Sequence, residues 1–219
     1  MRAVLVGSGD PSPVDASWLD GAELVVAVDG GATWLASIGH QPDLLIGDLD
    51  SVEAEPVRRL EAASVMVERH PTEKDSSDLE LAIASAVHRG ADEIVVLGAF
   101  GGERLDHELA NVLQLAGDRP GGAARRMRLG RGGVSVRMLR GAGELSIEAS
   151  IGSLVTLLSL GEVAEGITTT GLRYPLRDEI LHVGSSRGLS NEVSEAPAWV
   201  RLRLGTLLII ETEREELEK

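Results

Sequence analysis

Five short apolar runs in the first half of the chain constrain its fold most strongly. They are AVLVG at residues 3–7, LVVAV at 24–28, DLLIG at 43–47, SVMVE at 64–68 and EIVVLG at 93–98. Continuous runs rich in valine, leucine and isoleucine are typical of strands buried on both faces of a sheet. The first half is therefore predicted to fold around a buried parallel sheet.

Helical patterns alternate with these runs. The segments that show them are EPVRRLEAA at 55–63, SDLELAIASAVHRG at 77–90 and LDHELANVLQLAG at 105–117. The second segment aligns Leu79, Ala82, Ile83, Ala86 and Val87 on one apolar stripe, and the third aligns Leu105, Leu109, Val112, Leu113 and Ala116. Strand–helix alternation predicts a Rossmann-like, mostly parallel sheet with helices packed on both faces.

The second half of the chain shows a different pattern. Its strand-like segments are VSVRML, LVTLLSL, GITTT, WVRLRL and TLLIIET, and glycine-rich turns separate them. WVRLRL alternates apolar and polar residues, as a half-exposed antiparallel strand does. The overall fold class is thus α/β plus all-β, with a C-terminal antiparallel β-sandwich.

Charge divides the chain at the same place. Residues 1–118 carry 7 basic and 22 acidic side chains, whereas residues 119–219 carry 14 basic and 13 acidic ones. Such a break indicates a domain boundary, and we predict domains at 1–120 and 121–219. The stretch DRPGGAARRMRLGRGG at 118–133 is interpreted as a linker or surface turn, with a phosphate-contacting band as the alternative.

Composition excludes several functional classes. The 219 residues contain no cysteine, which rules out disulfides and thiolate metal sites and fits a cytoplasmic protein. A net charge of −14 disfavours a general nucleic-acid binder. No apolar run is long enough to span a membrane, and no secretory leader is expected at the start of the sequence.

Acidic residues follow four of the predicted strands. They are Asp29; Asp48 and Asp50; Asp75 and Asp78; and Asp106, which lies beside Arg104 and His107. In a doubly wound sheet, the loops at the carboxyl ends of the strands form the ligand crevice. Taken singly, Asp29 could be a turn former, and Thr72 or Asp75 a helix cap. Taken together, the acids predict a charged crevice along one sheet edge.

Carboxylates without histidine or cysteine suit a hard cation. Mg²⁺ is held by a few carboxylates while it bridges substrate phosphates, and the spacing around Asp48 and Asp50 does not match a calcium-binding EF-hand loop. The chain has no GxxxxGK[ST] motif. Lys74 and the C-terminal residue are its two lysines, so Lys74 is interpreted as a phosphate clamp or, alternatively, as a surface counter-ion.

An ordered set of motifs resembles the thiamine pyrophosphokinase family. The motifs are DGGA, GDLDS, PTEKDSSDLELA, GAFGGERLDHELANV, TTGLRYPL and GLSNE, and they span nearly the whole chain. The resemblance implies transfer of a pyrophosphoryl group from ATP to the hydroxyl of thiamine, which yields thiamine diphosphate and AMP with Mg²⁺. It also implies an α/β catalytic domain joined to a thiamine-binding sandwich, and a homodimer.

The resemblance assigns roles residue by residue. The implied metal ligands are Asp48, Asp50 and Asp78, and the implied nucleotide and phosphate contacts are Asp29, Thr72, Lys74, Asp75, Arg104, Asp106 and Asn111. The implied thiamine contacts are Thr170, Tyr174, Ser190 and Asn191. Asp75 is the candidate base for the thiamine hydroxyl.

Two positions depart from the family pattern. Glu103 lies within GGERLDH, where the family runs directly from Gly-Gly to Arg, and Ser77 replaces a common threonine.

Two alternative functions stay open. One is a pyrophosphokinase that acts on a 6-hydroxymethylpterin, and the other is a non-catalytic sensor of nucleotide or Mg²⁺. The motifs TTGLRYPL and GLSNE favour thiamine over the pterin. Tyr174, the chain's single tyrosine, is expected to offer its ring to the cationic thiazolium.

Overall fold

The structure is a computed structural model that describes residues 1–48, 58, 60, 62–117 and 126–214. The chain divides into two compact units, Met1–Gly132 and Gly133–Lys219. The boundary predicted at residue 120 lies outside the described residues. Within the described part, no helix is long and apolar enough to cross a membrane.

Parallel strands form the sheet of the first unit. Those described are β1 Arg2–Val6, β2 Leu24–Val28, β3 Leu44–Gly47, β4 Met66–Arg69, β5 Glu93–Leu97 and β6 Met127–Arg131. They pair in the order β6-β5-β1-β2-β3-β4, and every pairing is parallel. The five apolar runs coincide with β1 to β5, so the predicted parallel sheet is confirmed. Strand β4 is not buried as predicted, because it lies at the edge of the sheet and Met66 is 52% exposed.

Strand β6 corrects the interpretation of the glycine- and arginine-rich stretch. Residues 127–131 are neither a linker nor a surface turn, because they pair with β5. Met127 and Leu129 are buried, and the guanidinium of Arg128 lies 5.3 Å from the centre of the Trp18 ring. The two buried apolar residues alternate with arginine, as in a strand. This alternation is short and lies among many charged residues, so the sequence analysis did not identify the strand.

The described helices are α1 Gly31–Ser37, α2 Asp78–His88 and α3 Leu105–Gln114, and a 3₁₀ helix spans Pro13–Leu19. Helices α1 and α2 cover the two faces of the parallel sheet. Leu35 of α1 packs with Val4, Ala27 and Leu45 on one face. Helix α2 contacts the same three strands β1, β2 and β3, whose intervening residues, such as Leu5, are also fully buried. The helix predicted at 55–63 falls largely outside the described residues.

Helix α2 matches its sequence pattern closely. Its buried residues are Leu79, Ala82, Ile83 and Ala86, as the stripe predicted. Ser77 is the N-cap, since its Oγ accepts a hydrogen bond from the backbone of Glu80 at 3.2 Å. Neither Thr72 nor Asp75 caps the helix, so the capping role considered for them is wrong. The hydroxyl of Ser77 explains why serine can replace threonine there.

Helix α3 is correctly predicted, but its apolar stripe is not buried. Leu105, Leu109 and Leu113 are 67%, 59% and 58% exposed, and no residue of the helix is buried. The sequence pattern showed an amphipathic helix, and it could not show whether the apolar side faces the sheet of its own chain. The stripe therefore remains uncovered in the described chain.

The second unit consists of two antiparallel sheets. Its strands are β7 Val134–Arg140, β8 Gly143–Ile147, β9 Leu154–Ser159, β10 Val163–Thr170, β11 Glu179–His182, β12 Asn191–Glu192, β13 Ala198–Leu202 and β14 Thr206–Thr212. One sheet has the order β12-β9-β14-β7 and the other β11-β10-β13-β8. Residues from both sheets, including Leu157, Ile167 and Val200, share one hydrophobic core. The predicted β-sandwich is confirmed.

A buried ion pair crosses this unit. Arg137 of β7 donates from Nε to Glu211 of β14 at 3.1 Å, and the two residues are 7% and 3% exposed. Arg137 also reaches Oε1 of Glu148 at 2.9 Å and the carbonyl of Ser146 at 2.7 Å. The second oxygen of Glu211 accepts from the backbone N–H groups of Glu148 and Ala149. One desolvated pair thereby fixes β7, β14 and the segment after β8.

Removing one partner of this pair is expected to be costly. Arg137→Leu leaves the Glu211 carboxylate buried without its counter-ion, and we expect a loss of about 3–5 kcal/mol in the free energy of unfolding. Urea unfolding measures the effect. The control is Arg201→Leu, which removes the exposed pair with Glu144 and is expected to cost at most about 1 kcal/mol. Equal losses in the two variants would contradict the structural role of the buried pair.

Candidate active site

Three loops meet at the carboxyl ends of β1, β2 and β5. They comprise residues 7–9, 29–31 and 98–102. Their backbones touch: the N–H groups of Gly7 and Gly9 donate to the carbonyls of Leu97 and Gly98 at 2.8 and 3.0 Å. The contact requires glycine, because a Cβ on Gly9 would lie 2.2 Å from the carbonyl oxygen of Phe100. The loops form a floor made of main chain.

A cavity of about 310 Å³ opens above this floor. Its volume is at the lower end of the range for small-molecule sites. Among the predicted site residues, Asp29, Asp78, Arg104 and Asn111 line it. The loop Gly7-Ser8-Gly9 also lines it and was missed, although the sequence GSGD directly after the first apolar run was a usable signal.

Lys74 joins two of the predicted metal ligands. Its Nζ lies 3.0 Å from Oδ1 of Asp78 and 3.7 Å from Oδ2 of Asp48, and all three side chains are less than one-fifth exposed. Burial of the ammonium opposes its charge, yet contact with Asp78 and the charges of Asp48 and Asp29 raise the pKa of Lys74. Lys74 is thus an internal counter-ion of the acids rather than a surface one.

Asp29 is held beside the segment that carries Asp48. Its backbone has a φ of +45° and its N–H donates to the carbonyl of Ile46 at 2.9 Å. Its carboxylate occupies the space beside Gly47, where a Cβ would lie 1.7 Å from Oδ1. A glycine before Asp48 is therefore what lets the two acids approach.

The structure does not bring every predicted residue to the cavity. Asp50 lies outside the described residues. Thr72 and Asp75 are exposed, and neither lines the cavity. The structure leaves their assigned roles as predictions.

Arg104, at the N-cap of α3, forms a bidentate pair with Asp106 in the first turn of the helix. Arg104 reaches the two carboxylate oxygens of Asp106 at 2.9 and 2.6 Å. Hydrogen bonding from this guanidinium holds the pKa of Asp106 well below its usual range. Only Arg104 of the pair lines the cavity, as does the neighbouring Glu103. Asp106 thus orients the arginine from outside.

Two further side chains shape the same loop. Asn111 donates from Nδ2 to the carbonyl of Ala99 at 2.8 Å, and Glu108 accepts from the N–H of Gly101 at 3.0 Å. His107 also lines the cavity. Helix α3 therefore fixes the glycine-rich loop that precedes it.

The predicted thiamine contacts lie in the second unit. Tyr174 is 57% exposed, whereas Asn191 is 8% exposed and bonds to the backbone of Tyr174. Thr170 is exposed at the end of β10, paired with Trp199 of β13. Ser190 is exposed and has a φ of +52°, a conformation rare outside glycine. The structure brings Tyr174 and Asn191 into direct contact.

Both units match known family models. Residues 16–120 match the catalytic domain of thiamin pyrophosphokinase, and residues 144–207 match its vitamin B1 binding domain. Among curated relatives, the Bacillus subtilis thiamine pyrophosphokinase is 28% identical over 96% of this chain and 98% of its own length. The rice thiamine pyrophosphokinase 1 is 30% identical over 80% of this chain and 74% of its own length.

Solved structures agree with these matches. The crystal structure of the Bacillus subtilis thiamine pyrophosphokinase has a TM-score of 0.85 at 28% identity, and covers 98% of this chain and 100% of its own. That from Geobacillus thermodenitrificans has a TM-score of 0.81 at 30% identity, covering 97% and 98%. The yeast enzyme shares the fold with a TM-score of 0.80 at 16% identity, covering 99% and 87%.

The matches of both units define a pyrophosphotransferase, in which an α/β unit with a main-chain floor is joined to a β-sandwich. The same matches narrow the class to one family. The chain belongs to the thiamine pyrophosphokinase family.

The close approach of Asp29 to Gly47 can be tested. Gly47→Ala places a methyl group where the Asp29 carboxylate lies, and such overpacking costs about 1–3 kcal/mol. We expect this loss in urea unfolding, and we expect it to shrink when Asp29→Ala is also present, because the carboxylate is then gone. Strictly additive losses in the double variant would show that the two residues do not meet.

Proposed function

We propose that the chain transfers the pyrophosphoryl group of ATP to the hydroxyl of thiamine, giving thiamine diphosphate and AMP. The observation that carries the proposal is that both units match, one to a catalytic and one to a thiamine-binding domain. The cavity above the main-chain floor supports it, because phosphates bind where backbone and cationic groups converge. A cytoplasmic location belongs to the proposal, because ATP is an intracellular substrate.

The acids suit a magnesium ion. Oδ1 of Asp78 is buried, and the ammonium of Lys74 lies 3.0 Å from it without the alignment of a regular hydrogen bond. An oxygen in this state favours a cation, and carboxylates are the ligands that Mg²⁺ prefers. The described residues alone contain no group of three arranged to hold a metal. The proposed ligand set of Asp48, Asp50 and Asp78 therefore relies on the sequence for Asp50.

The chain's own groups would bind and orient the substrates. When bound, Mg²⁺ neutralises phosphate charge during the displacement. Among the described residues, Lys74 is a cation beside Asp48 and Asp78. Arg104 is a cation that lines the cavity, where its pairing with Asp106 holds it. Attack at the β-phosphorus expels AMP, so negative charge grows on the β-phosphoryl and leaving α-phosphate oxygens, which these cations would stabilise. Positioning and charge stabilisation carry most of such a reaction. Asp75 as the base for the thiamine hydroxyl remains a prediction.

The two alternatives differ in what they release. A hydroxymethylpterin pyrophosphokinase is disfavoured, because residues 144–207 match a vitamin B1 binding domain. A sensor would bind nucleotide or Mg²⁺ without turnover. AMP release from Mg-ATP is therefore measured with thiamine, with 6-hydroxymethylpterin and with neither. Release that depends on thiamine supports the proposal, and release that depends on the pterin, or no release, overturns it.

The carboxylate of Asp78 is expected to be essential. Asp78→Asn keeps the shape of the side chain but removes a charge from the proposed metal site, so transfer should fall by at least about 10²-fold. The control is Asp20→Asn, an exposed aspartate at the end of the 3₁₀ helix, which should leave AMP release unchanged. Thermal unfolding verifies that both variants fold. Near-normal transfer by Asp78→Asn at saturating Mg²⁺ would refute the role.

A homodimer through α3 is also proposed. Leu105, Leu109 and Leu113 are exposed and evenly spaced at four residues, so the stripe is symmetric about Leu109. A two-fold axis at Leu109 would pack the helix against its copy in the antiparallel sense, with Leu105 facing Leu113 of the second copy. A stable interface buries about 800 Å² on each partner, so the stripe would supply its centre rather than its whole area.

A charge at the centre of the stripe should separate the copies. Leu109→Glu is expected to give the monomer mass of 23.1 kDa in light scattering, whereas the unmodified protein should show twice that mass. Ile151→Glu is the control, because Ile151 is 60% exposed in the second unit and lies outside the proposed interface. A dimer that persists in Leu109→Glu would contradict the use of this helix.

A further inference from the structure

Tyr174 combines an exposed ring with a fixed backbone. Its N–H donates to Oδ1 of Asn191 at 3.0 Å, and its carbonyl accepts from Nδ2 of the same residue at 2.7 Å. One carboxamide therefore holds both polar backbone groups of Tyr174. The ring beyond this clamp is 57% exposed, although tyrosine usually hides most of its surface in a folded chain.

The carboxamide continues a short backbone ladder. Leu172 forms an isolated antiparallel bridge with Val193, and the N–H of Arg173 donates to the carbonyl of Glu192 at 2.9 Å. At the next position the main chain of β12 no longer pairs with Tyr174, and the side chain of Asn191 provides one acceptor and one donor instead. An amide side chain offers the same two groups as a peptide bond.

Asn191 is itself firmly anchored. It pairs with Val155 of β9, is 8% exposed, and its Oδ1 also accepts from the N–H of Glu192 at 2.9 Å. Just before it, the N–H of Ser190 donates to Oγ1 of Thr156 at 3.1 Å. Oδ1 thus has its two acceptor positions filled, and Nδ2 has one of its two hydrogens committed. Little of the carboxamide is left for a ligand.

Arg173 fixes the ring from the side. Its guanidinium carbon lies 5.8 Å from the centre of the Tyr174 ring, within cation–π range, and Nη1 pairs with Glu192 at 2.9 Å. A cationic ligand would be repelled from the side that the guanidinium occupies. Backbone and ring are therefore both oriented by contacts to Asn191 and Glu192.

We infer that Asn191 is a positioning residue, which holds the Tyr174 ring where thiamine binds and does not itself contact thiamine. This inference rests on the proposed function, because it takes thiamine as the ligand of Tyr174. It changes the role that the family resemblance implied for Asn191, and it follows from the way the carboxamide groups are used.

The test is a double-mutant cycle between Asn191→Ala and Tyr174→Ala. Each single variant should raise the thiamine KM by roughly 3- to 30-fold, which corresponds to the loss of a cation–π contact. The ATP KM should not change. If Asn191 acts through Tyr174, Asn191→Ala adds nothing once Tyr174 is alanine. Additive losses would assign a direct thiamine contact to Asn191 and overturn the inference.

A second readout does not depend on catalysis. Because the chain has a single tyrosine, 3-fluorotyrosine labelling gives one ¹⁹F resonance that reports Tyr174 alone. Asn191→Ala should shift and reshape this resonance in the absence of any substrate. An unchanged resonance would overturn the inference even if thiamine transfer is normal. If the protein fails to transfer to thiamine at all, the proposed function fails, and the loss of thiamine as the ligand overturns the inference with it.

Two further variants separate positioning from simple damage to the fold. Asn191→Asp keeps the acceptor for the N–H of Tyr174 and loses the donor, so it should retain more thiamine affinity than Asn191→Ala. Ser159→Ala removes another buried side chain, whose Oγ donates to the carbonyl of Gly161 at 3.1 Å. It should leave the resonance and the thiamine KM unchanged. An Asp variant as impaired as Ala, or a Ser159 variant with the same effects, would argue for general destabilisation and overturn the inference.

Discussion

Repulsion among carboxylates is the constraint on which the first unit depends. Asp29, Asp48 and Asp78 are brought together at one sheet edge, and the ammonium of Lys74 offsets part of their charge. The approach requires Gly47, whose missing side chain leaves room for Asp29. Residues far apart in sequence thus share a small, partly desolvated space, in which the ammonium of Lys74 offsets their repulsion.

The second unit does not have to bring like charges together at its predicted thiamine site. Beside Tyr174, Asn191 is neutral and Arg173 is paired with Glu192, and the aromatic ring is exposed on a turn whose backbone is fixed by Asn191. A flat cationic ligand is recognised by a rigid ring at little entropic cost, since the ring has few rotatable bonds. The acidic crevice and the aromatic turn therefore suit the two halves of the proposed reaction: a polyphosphate with its metal, and a cationic acceptor.

The sequence predicted the elements better than their surroundings. The runs at β1, β2, β3 and β5 were recognisable because a strand buried on both faces has no polar period, and α2 was recognisable because its apolar residues form one stripe. Helix α3, which carries Leu109, was predicted equally well. Whether its apolar stripe is buried depends on a partner surface, which the periodicity of the sequence does not encode. Asn111 lines the cavity, and its role toward a nucleotide stays a prediction, whereas the hydrogen bonds between Asn191 and Tyr174 arise from a tertiary contact between β12 and a distant turn.

The position of β14 has a consequence for folding during synthesis on the ribosome. This strand lies between β7 and β9 in its sheet, and Glu211 within it neutralises the buried Arg137. Ribosomes make the chain from its amino end, and domains tend to fold in that order. Until residue 211 has been synthesised, β7 and β9 have no strand between them and a guanidinium destined for the interior has no counter-ion. We therefore expect the sandwich to fold late during synthesis, with its apolar strands uncovered until β14 has been made.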